Sequence, residues 1–353
     1  MPIDPDRLNA LLGKVVGDIG GAMSSALTRM GDQLGLFRAL ASGPATSAQL
    51  AQRAGVAERM VREWLLNQAA SGYIEYDPAA GAFSMTPEQV AAFADETSPA
   101  FMGGAFDIIA SVHTDAPAIA EAFRSGKGLP WGAHSSCLFC GTERFFAASY
   151  RANLIDAWLP ALTGVVEHLR KGATVADVGC GHGASTLLMA RAFPKSVFIG
   201  MDFHEPSIAC ARARAEKAGL RNVTFQVADA TSFPAASSGK GYDLVTTFDC
   251  LHDMGDPVGC ARRVRETLAE SGVWMIVEPA AGDTVESNLN PVGRVFSAAS
   301  TMICVPASMA TGGPALGACA GEKRIGRVVS EGGLTKFRRA AETPFNFVFE
   351  AKR

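Results

Sequence analysis

The chain has 353 residues, 48% hydrophobic and 19% charged, with 32 basic against 35 acidic side chains and a formal net charge of −3. So long a chain outgrows a single hydrophobic core, and two domains are expected. The near-balanced charge removes any general electrostatic case for nucleic acid or a membrane surface as partner, and the plentiful apolar residues exclude large-scale disorder.

The opening Met-Pro-Ile-Asp-Pro-Asp carries acids where a secretory signal carries Lys or Arg. The longest uncharged run, between Arg294 and Glu322, contains Pro306, Gly312, Gly313 and Pro314, so it is not expected to span a membrane. The eight cysteines are expected as free thiols in a reducing compartment, which points to the cytoplasm.

In chain order, Leu8, Leu11, Leu12, Val15, Val16 and Ile19 recur at helical spacing, and Leu34, Leu36, Phe37 and Leu40 begin a second apolar set. Thr46 precedes Gln49 by three residues, a capping-box spacing, and opens a short helix that Gly55 ends. Another helix is expected over 57–70, then a hairpin from Tyr73–Tyr76 and Phe83–Thr86 around a turn at 77–81. Helix, turn, helix and wing make a winged helix over residues 1–95. Residues 96–150 are expected as short helices, a linker or lid. From Ala173 the pattern alternates buried strands with helices, with strands at 175–178, 197–201, 223–227, 244–248 and 274–277 and two more near 336–340 and 346–350. This predicts an α/β fold with a doubly wound, mainly parallel, seven-stranded sheet over 151–353, with 283–321 inserted as a lid.

At the first strand-to-helix turn stands Asp177-Val178-Gly179-Cys180-Gly181-His182-Gly183. Glycines allow a tight turn and close approach of backbone to ligand. Asp177 leads D-x-G-x-G-x-G, not the G-x-G-x-x-G of dinucleotide folds. A carboxylate there would repel a pyrophosphate but can organise an amino group. Asp202, ending the second strand, can accept from both hydroxyls of a ribose, and Asp229, after the third, from an adenine amino group. These residues resemble the class I S-adenosylmethionine-dependent methyltransferases, from about residue 145 to the end of the chain. The resemblance implies S-adenosylmethionine as cofactor, held by Asp177, Gly179, Gly181, Gly183, Asp202, Phe203, Asp229, Ala230 and Phe248, with no metal.

The fourth strand runs into Phe248-Asp249-Cys250-Leu251-His252-Asp253-Met254-Gly255-Asp256, and the fifth ends in Glu278. Ligands bind outside the carboxyl ends of strands in such sheets, so His252 falls at the expected reaction site. Its ordinary pKa of about 6.5 suits proton removal from a hydroxyl. The stretch is similar to the His-Asp-Trp-x-Asp motif of the two-domain O-methyltransferases, whose N-terminal winged-helix-like domain dimerises. That resemblance implies His252 as base, Glu278 as its buttress and Asp253 beside them. Met254 stands where that motif has Trp, and Glu322 is the nearest residue to a second supporting Glu. N- or C-methylation, with His252 orienting the acceptor, is the alternative chemistry.

Phe145, Phe146, Tyr150, Phe296 and Met302 are expected to wall an apolar pocket for a small aromatic or apolar acceptor. His134, Cys137 and Cys140 form H-x-x-C-x-x-C, but the four ligands of a structural zinc are not assembled, and no metal is expected. The winged helix also raises the possibility of a transcriptional regulator. Between Pro44 and Val90, however, three arginines face five acids, the reverse of a DNA-binding footprint, and a homodimer is expected instead.

Overall fold

Short polar caps start the helices where the sequence signals them. The computed structural model describes residues 2–353. Asp4 accepts the N–H groups of Asp6 and Arg7 at the head of the long helix Pro5–Gln33. Thr46 and Gln49 exchange both bonds of their capping box at the head of Ser47–Ala54. Helix Glu58–Ala70 follows, then the antiparallel wing of β1 (Glu75–Asp77) and β2 (Ala82–Ser84). Phe37, Leu40, Leu50, Trp64, Leu65 and Ile74 are buried together as the core, and the Trp64 indole donates to the Leu27 carbonyl at 2.9 Å.

The chain divides into two units, one ending at Ser111 and taking in Cys140–Ala148, the other formed by Val112–Phe139 and Ser149–Arg353. Residues 96–150 are thus shared between the units, and they form long helices where short ones were expected. Gly103–Ser125 runs through Pro117, and Ser136–Asn153 leads into a π-helical turn, Leu154–Trp158.

The second unit is built on seven strands: β3 (Thr174–Val178), β4 (Val197–Asp202), β5 (Val223–Val227), β6 (Tyr242–Phe248), β7 (Leu268–Pro279), β8 (Lys336–Glu342) and β9 (Asn346–Lys352). Their spatial order is β5-β4-β3-β6-β7-β9-β8, with β3 to β7 parallel and the last two antiparallel. The mainly parallel α/β sheet read from the sequence is therefore present. Its strands are continuous apolar runs because both faces are covered; Val175, Ala176, Val245, Trp274 and Ile276 are fully buried. The order reverses between β3 and β6, which opens a crevice beyond their carboxyl ends.

Residues 291–310 are helical throughout, because a π-helical turn, Ser300–Cys304, precedes Pro306 and the proline falls in the first turn of Val305–Ala310. By length and composition this stretch could cross a membrane, but Phe296, Ile303, Cys304, Pro306 and Ala307 are buried against protein.

Candidate active site

The crevice is lined first by the loop after β3. Gly179, Gly181 and Gly183 all have left-handed backbone, with φ of 75°, 52° and 80°. A Cβ on Gly179 would lie 2.6 Å from the Cys250 sulfur, whereas one on Gly181 would meet nothing within 4 Å, so the open side for a ligand is at Gly181. Asp202 at the end of β4 accepts the Gly181 N–H at 2.9 Å and the His204 N–H at 2.8 Å, and burial raises its pKa against these bonds.

Asp177 differs from expectation. It is fully buried, and its carboxylate accepts the hydroxyls of Ser185 at 2.8 Å, Thr186 at 2.5 Å and Thr246 at 2.8 Å. Burial raises its pKa while the three hydroxyls oppose the rise. The residue ties β3, the following helix and β6 together beneath the glycine loop instead of facing a ligand. Asp229 is exposed and folds back onto the Thr231 N–H and hydroxyl, at 2.8 and 2.5 Å. Phe203 is 61% exposed, a free aromatic face beside Asp202. Ala230 packs on the core, and Phe248 is buried with its ring 5.1 Å from that of Tyr150.

Beyond β6 the chain turns sharply at Asp249 and enters a 3-10 turn, Leu251–Asp253. The His252 Nδ1 lies 2.5 Å from Glu278 Oε2, and the other Glu278 oxygen accepts the Leu251 N–H at 3.0 Å. Both side chains are buried. Burial pulls the imidazole pKa down, but the Glu278 carboxylate and the Cys304 thiol outweigh it and hold the pKa well above the ordinary value. The remaining ring nitrogen, Nε2, lies 3.3 Å from the Cys304 sulfur.

Both ring nitrogens are thereby engaged without Asp253 or Asp256. Asp253 sits in the turn with its pKa pushed up to about 7, mainly by burial, and Asp256 caps the helix Pro257–Thr267 through the Gly259 N–H. Glu322 pairs with Arg339 on β8 and gives His252 no second support. Cys304 was not legible as a site residue, since it reaches His252 across 52 residues of sequence.

Phe145 and Phe146 meet edge to face at 5.1 Å in the N-terminal unit. In the second unit Tyr150 turns its hydroxyl to Asp249, Phe296 stands edge-on to Phe345, and Met302 is half-buried. His134 pairs with Asp115 at 2.9 Å, so its Nδ1 is not turned to Cys137 or Cys140.

Residues 169–333 match the family described as methyltransferase domain, and residues 22–94 match the Rv2258c-like winged HTH domain. The trans-aconitate 2-methyltransferase of Variovorax paradoxus is 32% identical over 111 residues, which are 31% of this chain and 40% of that protein. The tRNA (guanine-N(7)-)-methyltransferase of Shewanella pealeana is 36% identical over 72 residues, 20% of this chain and 30% of that one. The matched stretch spans less than half the length of these relatives. Solved structures match along the whole chain. An O-methyltransferase family protein from Burkholderia thailandensis superposes with a TM-score of 0.69 at 18% identity, covering 100% of this chain and 99% of that one. The mitomycin 7-O-methyltransferase MmcR gives 0.67 at 18% identity, covering 99% and 100%. Human N-acetylserotonin methyltransferase, in complex with S-adenosylmethionine, gives 0.68 at 17% identity, covering 100% and 99%. At these identities the likeness is one of fold. The chain is thus a winged helix-turn-helix domain joined to a methyltransferase domain, in the fold of the two-domain O-methyltransferases.

Proposed function

We propose that the protein is an S-adenosylmethionine-dependent O-methyltransferase that acts on a small apolar or aromatic acceptor, with His252 as general base. The observation that carries this reading is the buried Glu278–His252 pair at the carboxyl end of β6, beside the glycine loop after β3. The donor set around that loop fits the cofactor. Asp202 suits ribose hydroxyls, the open face of Gly181 admits close approach, and exposed Phe203 and Asp229 suit the flat face and amino group of adenine. S-adenosylmethionine, when bound, supplies a methyl group already activated on a sulfonium. His252 Nε2, which lies 3.3 Å from the Cys304 sulfur, then needs to take only the hydroxyl proton. Glu278 holds the ring in one tautomer and stabilises the imidazolium that forms. Positioning contributes roughly 7–11 kcal/mol, and the base a further factor of about 10²–10⁴. Cys180, Cys260 and Cys304 are buried thiols, which accords with a cytoplasmic setting.

Calorimetric titration with S-adenosylmethionine and S-adenosylhomocysteine, followed by a screen of phenolic acceptors, tests this reading. His252→Ala is expected to keep cofactor affinity and to lose turnover by about 10²–10⁴-fold. Equal turnover in the variant and the parent refutes the base role.

A further inference from the structure

Five acids gather at the carboxyl edge of the sheet: Asp177, Asp202, Asp249, Asp253 and Glu278. Asp177 is satisfied by three hydroxyls, Asp202 by the backbone N–H groups of Gly181 and His204, and Glu278 by His252 and the Leu251 N–H. Asp249 is held differently. Its φ is 51°, one of two positive values at non-glycine positions among the described residues, and its N–H is fixed to the Val277 carbonyl at 2.8 Å. Backbone strain of this kind clusters at ligand clamps.

The Asp249 carboxylate accepts Asn346 Nδ2 at 2.8 Å and, more weakly, the Tyr150 hydroxyl at 3.4 Å. Asn346 is itself fully buried, and its Oδ1 has no hydrogen-bond partner. The groups that act on Asp249 are the Glu278 carboxylate, His252, Tyr150 and Asn346; the one cation among them, His252, is already bonded to Glu278. Burial, then Glu278, drives the Asp249 pKa well up. A carboxylate so enclosed gains most from a cation brought in from outside. The rings of Phe248 and Trp158 flank Tyr150, with centroids 5.1 and 6.1 Å from it, and aromatic faces also attract cations.

We infer that Asp249, backed by Asn346 and walled by Tyr150 and Phe248, is a donor-binding residue that holds the sulfonium charge of S-adenosylmethionine. The inference rests on the S-adenosylmethionine reading above and adds a residue to it. It predicts discrimination by charge, since S-adenosylhomocysteine carries a neutral thioether where the donor has a sulfonium, and sinefungin carries an ammonium on carbon there.

The test is calorimetric binding of these three ligands to the full chain and to Asp249→Asn and Tyr150→Phe. In Asp249→Asn, affinity for the two cationic ligands is expected to fall about tenfold or more, equivalent to about 1.4 kcal/mol, while that for S-adenosylhomocysteine changes little. Tyr150→Phe is expected to shift the same ratio less. A uniform loss for all three ligands, or no loss, overturns the inference and leaves the cofactor reading standing. Failure of all three to bind the parent overturns both. Should Asp249→Asn not fold, a pH series replaces it. The S-adenosylmethionine to S-adenosylhomocysteine affinity ratio is expected to fall as pH drops and Asp249 protonates, in the parent and in the double variant His252→Ala with Glu278→Gln, which removes the imidazole and the other carboxylate facing it. A flat ratio in the double variant overturns the inference.

Discussion

A histidine acts as base only in its neutral form, and the Glu278 carboxylate at 2.5 Å favours the charged form of His252. The neutral form grows as pH rises through a pKa lifted above the ordinary value of about 6.5. The kcat/KM profile is therefore expected to rise on an alkaline-shifted limb. Glu278→Gln removes the carboxylate that lifts the imidazole, so the limb should move to lower pH while turnover drops with the loss of orientation. Cys304→Ala removes a smaller contribution and an obstacle at Nε2. Its limb should move slightly the same way, with turnover kept within about an order of magnitude. Profiles of the three proteins check this, and a limb unmoved in Glu278→Gln contradicts it.

The same kind of satisfaction operates at the scale of elements. Asp177 on β3 joins the helix Ala184–Ala192, through Ser185 and Thr186, to β6 through Thr246, and so sets the shape of the loop between them. Thr246→Val keeps the volume and removes one of three donors to a fully buried carboxylate. It is expected to destabilise the fold by about 1–3 kcal/mol, seen as a lower urea midpoint with unchanged slope. Cofactor affinity should fall with it if the loop loosens. A midpoint equal to the parent's would mean that Asp177 does not depend on Thr246.

For the whole molecule, the long first helix poses the main question. Leu11 is 57%, Val16 68%, Ile19 55% and Met23 71% exposed, and Leu8, Leu12 and Val15 are exposed beside them. An apolar face of this length asks to be covered. We propose that a second copy of the chain covers it, consistent with the neighbouring Gly13, Gly17, Gly20 and Gly21, whose open sides permit close helix approach. The parent is expected to sediment as a dimer, and Leu12→Asp combined with Val16→Asp as a monomer. DNA is a poor rival for the winged helix. Arg59 and Arg62 are paired with Glu63 and Glu58 at 2.5 and 2.9 Å, and Arg53 bonds to the carbonyls of Gly43 and Pro44. A gel shift against genomic fragments at physiological salt is expected to show no retardation.

What could be read from the chain alone was what depends on neighbours in sequence. The capping box at Thr46, the period of the first helix, the continuous apolar strands and the glycine loop after β3 are all short-range patterns, and each implies its element directly. The pairing of Glu278 with His252 was also legible, because two consecutive parallel strands end at the same edge. The surroundings of those residues were not. Asp177 turned under its loop, Pro306 was absorbed by a π-helical turn, Cys304 reached His252 from a distant helix, and Asn346 on β9 met Asp249 after β6. Such contacts depend on how separate elements stack and where burial leaves a polar group in need of a partner, and no local spacing encodes that.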